Sequence, residues 1–206
     1  MCIRDSRECG LKLVIGSEFL VSTDESKSDE KLKLILLAPN RTAYSEISAL
    51  ITKGRRRSAK GEYALSINDL QFGLQHCLAI WLPNKLEKSI DANEQYGRVL
   101  KQCFKDRLWL GVELFWHSDD YRQYSYKEQL SLKLSINMVA CNDVHMHCKS
   151  RKPLQDTLTA IRLKTTVQKL GLRPLVALDT TSQAAEGAAR AFATVDDAVN
   201  LLQKTL

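Results

Sequence analysis

An α/β fold with a largely parallel sheet is predicted, and three observations predict it. Apolar runs of strand length alternate with segments of helical spacing along most of the chain. Pro39, Pro83 and Gly171 punctuate these segments. Metal-competent side chains also gather where apolar runs stop, at Glu18, His117, Asp143 and His145. In sheets of this class, function collects at the C-terminal ends of strands.

Taken in order, residues 11–19 (LKLVIGSEF) are a short apolar run and predict a strand. Residues 22–31 are charged and Ser-rich, which predicts a turn between strands. A second strand follows at 32–38 (LKLILLA), broken by Pro39-Asn40, and Asn40 can cap a helix through Ile51. Residues 53–62 (KGRRRSAKGE) read as a basic loop, and 66–74 as a short helix capped by Ser66. The run 77–82 (CLAIWL) predicts a strand closed by Pro83. Helical spacing covers 85–104 with a break near Gly97. A strand at 107–116, a helix at 119–134 and a strand at 137–144 come next. The last clear helix spans 153–170, stopped by Gly171.

The chain has 206 residues, which suits one domain or one domain with an appendage. Its hydrophobic fraction of 44% and charged fraction of 26% are those of an ordinary water-soluble domain. A net charge of +6 permits contact with nucleic acid or a phosphate-bearing substrate without requiring either. No apolar run approaches the roughly 20 residues of a membrane span. Residues 1–10 are polar and charged, unlike a secretory leader, so a cytoplasmic location is expected. Six cysteines, none in a C-x-x-C pair, are expected as free thiols in a reducing compartment.

The segment NDVHMH at 142–147 follows an apolar run. Strand alternation sends Asp143, His145 and His147 to one face, and a carboxylate with two imidazoles is a donor set for a divalent metal. A polar loop that happens to contain histidines is the alternative. Convergence with Glu18 and His117 at other strand ends favours the metal. Cys141 and Cys148 flank the cluster but lack zinc-finger spacing to a partner.

Several segments together resemble a known family: GLKLVIGSE (10–18), LLAPN (36–40) with Tyr44, GRRRSAKGE (54–62), NDVHMH (142–147) and RKPLQDTLTAIR (151–162). The chain is similar to the PHP (polymerase and histidinol phosphatase) domain of bacterial C-family DNA polymerases. Within that family it resembles the error-prone branch, relatives of the polymerase III alpha subunit. The resemblance covers about residues 10–172. It implies a distorted β/α barrel, here N-terminally truncated, followed by an α/β tail of unassigned origin. It also implies a site for divalent metals (Zn, Mn or Mg) that activate water against phosphate esters. Glu18, His117, Asp143 and His145 match family ligands, whereas His147 does not. Implied partners are DNA through the parent polymerase, the parent's other domains, and the sliding clamp or mutasome proteins.

Two departures bear on activity. A family histidine falls at Lys33, whose charge would oppose a cation. The family's opening strands, with their paired histidines, have no counterpart in the chain, so the metal site is expected to be incomplete. Residues 1–9 are expected to be a non-family remnant, 10–172 a partial PHP domain, and 173–206 a chimeric or frame-shifted tail, on the composition change from Thr180 to Ala193.

Three functions follow as expectations. The first is a fragment of an error-prone DNA polymerase, without the palm and inactive alone. The second is an autonomous phosphoesterase using Glu18, His117, Asp143 and His145. The third is a DNA- or partner-binding module using Arg55, Arg56 and Arg57, for which a solvated surface loop is the plain alternative. Trp81, Trp109 and Trp116 read as core or rim residues, and Lys12, Lys33 and His76 as surface positions.

Overall fold

The computed structural model describes residues 2–10, 13–23, 31–83, 90–114, 118–141, 143 and 148–170. Ten main elements follow in order: α1 (Cys2–Glu8), β1 (Ile15–Ser22), β2 (Lys31–Ala38), α2 (Arg41–Arg56), β3 (Leu78–Leu82), α3 (Ile90–Phe104), β4 (Leu108–Glu113), α4 (Asp120–Leu134), β5 (Asn137–Cys141) and α5 (Lys152–Arg162). Short 3-10 turns lie at Ile67–Leu70, Lys105–Arg107, Lys149–Arg151 and Val167–Leu170. The five strands form one sheet in sequential order. β1 and β2 pair antiparallel, as do β2 and β3, whereas β3, β4 and β5 run parallel.

This corrects the expected barrel. Among the described residues the sheet is open: β1 pairs with no strand but β2, and β5 with no strand but β4. Closure requires the first strand to meet the last. Here the outer edge of β1 is already engaged by residues 63–66. The Tyr63 hydroxyl accepts from the Leu20 N–H at 2.9 Å, and the Leu65 carbonyl accepts from the Ser22 N–H at 2.8 Å. Ser22 also forms a bridge with Ser66. That cover protects an otherwise open strand edge. The largely parallel sheet is corrected too, since two of the four pairings are antiparallel.

Period-two alternation explains the core. Phe19, Val21, Leu32, Leu34, Leu36, Ala79, Trp81, Leu108, Leu110 and Val112 are in register on one face and all buried. Ala43, Ile47 and Leu50 of α2, Leu100 and Phe104 of α3, and Tyr126, Leu130 and Leu134 of α4 join them in one cluster. Sequential parallel strands joined by crossovers of the preferred hand carry their helices on the same face, which accounts for this single helical layer. The opposite face carries Lys33, Ile35, Ile80, Trp109, Glu113 and Cys141, each partly exposed.

Local chemistry accounts for most boundaries. Asn40 caps α2, its side chain accepting from the Ala43 N–H at 2.9 Å. Ser66 and Asp69 form a capping box on the following turn. Ser135, in the left-handed region at φ 53°, ends α4, and Lys101 Nζ donates to the terminal carbonyls of Leu134 and Ser135. β1 lies several residues later than the 11–19 run suggested, and the 153–170 helix ends early at Arg162. Two further readings are corrected. α2 runs on to Arg56, so the first part of the supposed basic loop, residues 53–56, is helix. Gly97 does not break α3 but lets it approach α4: an added Cβ would lie 2.3 Å from Leu134 Cδ1 and 2.8 Å from Trp81 Cζ3. The turn at 24–30 and the tail at 171–206 lie outside the described residues.

Candidate functional site

Lys33 is the centre of the site that the structure assembles. Its Nζ lies 3.2 Å from Glu18 Oε2, 3.8 Å from Glu113 Oε1 and 3.9 Å from Asp143 Oδ2. The register explains the convergence. Leu20 pairs with Lys33 across β1 and β2, so Glu18, two residues earlier, is the diagonal neighbour of Lys33 on the same face. β2 runs antiparallel to β3, which brings the beginning of β2 to the edge where β3, β4 and β5 end. Glu113 closes β4 opposite Cys141 of β5. Asp143 follows with φ 42°, a left-handed conformation that Asp tolerates better than most residues.

Lys33 is therefore no simple surface lysine; its side chain is 25% exposed. Partial burial works against its charge, but Glu113, the hydrogen bond to Glu18, and Asp143 outweigh that and raise its pKa. Burial pushes the Glu113 carboxyl up, opposed by Lys33 and Lys127. Lys127 of α4 is buried, which lowers its pKa, with Glu113 and Cys141 in electrostatic range. Burial and then Glu113 push the Cys141 thiol up to about 11.

Of the four predicted ligands, the structure brings Glu18 and Asp143 to one ammonium. His117 and His145 lie outside the described residues, as does His147. Among the described residues, no three His, Cys, Asp or Glu side chains are grouped so as to hold a metal ion. Among the described residues, the carboxylates of Glu18, Glu113 and Asp143 face one ammonium. Sequence reasoning missed Glu113 and Lys127. Glu113 is visible as the one carboxylate inside the apolar run 108–116; Lys127 looks like any helical lysine.

The arginine cluster is divided in its roles. Arg57 Nη1 donates to both carboxylate oxygens of Asp69, at 3.0 and 2.8 Å, and Lys53 Nζ lies 2.7 Å from Asp69 Oδ1. Arg55 donates to the Glu62 carbonyl at 3.2 Å and stacks 5.9 Å from the Tyr63 ring centre. Arg56 is exposed. His76 is half exposed at its side chain and paired with Glu46, its Nδ1 2.7 Å from Oε1. Trp81 is core as expected, while Trp116 and Lys12 lie outside the described residues.

Comparison with known proteins finds bacterial polymerases. An error-prone DNA polymerase of Teredinibacter turnerae is 43% identical over 168 residues, covering 82% of this chain and 15% of the relative. Those of Methylococcus capsulatus and Saccharophagus degradans are 42% and 41% identical over 168 and 170 residues, covering 81% and 82% of this chain and 15% of each relative. The chain belongs with the bacterial error-prone DNA polymerases. No family model matches it. It spans about 15% of the length of these curated relatives and is a PHP-containing segment of such a polymerase. Membership is consistent with metal dependence in general. No described helix is long and apolar enough to cross a membrane.

Proposed function

We propose that this segment serves its parent error-prone polymerase as a structural module rather than as a catalytic centre. The observation that carries the reading is the 43% identity across 82% of the chain to an error-prone DNA polymerase. Nucleotidyl transfer then belongs to the parts of the parent beyond the matched 15%. Damage-tolerant synthesis, DNA, and the clamp or mutasome proteins are reached through the parent. The exposed apolar row Leu154, Leu158 and Ile161 on α5 supports packing against another domain.

Autonomous phosphoester hydrolysis is the weaker reading, because Glu18 and Asp143 are committed to Lys33. For contact with DNA phosphate, Arg56 is the best candidate of the three arginines, since Arg55 and Arg57 bind within the chain.

Complementation tests the proposal. The Teredinibacter turnerae polymerase would be expressed without its matched segment, and primer extension measured with and without this chain. The chain alone should extend nothing, the truncated polymerase little, and the mixture more. Template-dependent extension by the chain alone would overturn the proposal, as would full activity of the truncated enzyme without it.

A further inference from the structure

We propose that Lys33 is a built-in counter-ion that keeps a divalent metal out: its ammonium draws together the carboxylates of Glu18, Glu113 and Asp143. Side-chain geometry alone defines this cluster, whatever the parent enzyme does. Glu18, Glu113 and Asp143 come from three separate parts of the chain, on β1, at the end of β4 and just after β5. Their nearest described oxygens surround one nitrogen at 3.2, 3.8 and 3.9 Å. Three carboxylates facing one point without a cation would repel one another.

The ammonium donates a hydrogen bond to Glu18 at 3.2 Å and attracts Glu113 and Asp143 electrostatically from 3.8 and 3.9 Å. A divalent ion entering among the same oxygens would meet a positive charge within about 4 Å, which opposes entry at any effective dielectric. Buried Lys127 lies in electrostatic range of Glu113 and adds a second positive charge near the site. Lys33 and Lys127 together offset most of the three negative charges, leaving little attraction for an ion from solution.

The test is metal binding by the full chain, with Mn²⁺ and Zn²⁺ as probes. Equilibrium dialysis and thermal melting would be run on wild type, Glu113→Gln, Lys33→Ala and the Lys33→Ala/Glu113→Gln pair. Wild type should bind no stoichiometric ion that depends on Glu113, and its melting point should not respond to either metal. Lys33→Ala should melt lower in metal-free buffer, recover with Mn²⁺, and bind at least about tenfold more tightly than wild type. Adding Glu113→Gln should remove that gain. The proposal is overturned by a wild-type site that binds one equivalent and loses it in Glu113→Gln. It is equally overturned by a folded Lys33→Ala that gains no affinity. Should Lys33→Ala fail to fold, the comparison of wild type with Glu113→Gln still decides the matter.

Discussion

Asp69 is a buried carboxylate with donors on several sides: Lys53, Arg57, and the backbone N–H and hydroxyl of Ser66. Burial by itself would raise its pKa. The hydrogen bonds from Lys53, Ser66 and Arg57 reverse that and lower it from an ordinary 3.8 to about 2. A depressed carboxylate stabilises the fold wherever the unfolded chain would be ionised, so its contribution is complete above the ordinary value. It disappears as pH falls from about 4 to about 2. The shift corresponds to about 2 kcal/mol. Asp69→Asn should therefore lose about that much in urea unfolding at pH 7 and almost nothing extra near pH 2. A loss independent of pH would assign the effect to packing instead. This pairing also explains why the arginine run misled the sequence reading. A charge run shows no partner when that partner is a single Asp 12 residues away from Arg57 and looks like an ordinary cap.

At the scale of elements, helices and strands were legible where pattern and capping agreed. α2 begins at the Asn40 cap and β3 ends at Pro83, as local chemistry requires. What was not legible depends on contacts remote in sequence. Gly97 looks like a helix breaker because glycine costs about 1 kcal/mol in a helix. Its actual role is to admit Leu134 and Trp81 against the backbone of α3. Gly97→Ala should accordingly destabilise by about 1–3 kcal/mol in thermal or urea unfolding, since overpacking outweighs the gain in propensity. Leu134→Ala in the same chain should recover part of the loss in a double-mutant cycle. A stabilising Gly97→Ala would mean that α3 and α4 are further apart than described. Strand direction was equally hidden. A hydrophobic run carries no sign of whether its neighbour is parallel, and the β1–β2 turn lies outside the described residues.

For the whole molecule, the α/β class was readable and the closure was not. Alternation of strands and helices is local, but what lies against the β1 edge, residues 63–66, is set by contacts remote in sequence. The candidate site was half readable in the same way. Glu18 and Asp143 were picked out by residue type, yet their common neighbour is a lysine whose role depends on register. The single helical layer also leaves apolar surface elsewhere. Leu158 is 54% exposed on α5, so Leu158→Glu should change the chain's stability by no more than about 0.5 kcal/mol. The same variant should weaken complementation of the truncated polymerase. Complementation at wild-type strength would place the contact on a different surface.

The Lys33 cluster also has a consequence for descent. Losing a metal ligand by substitution is ordinarily undone by restoring that ligand. Here Lys33 is the partner of three carboxylates. A lineage that regained histidines elsewhere around this edge would still carry a fixed cation in the way. Removing that cation first would pass through an intermediate with three mutually repelling side chains. If Lys33 keeps a metal out as proposed, a metal could be gained at this edge only after the lysine is lost, and the lysine would act as a one-way latch.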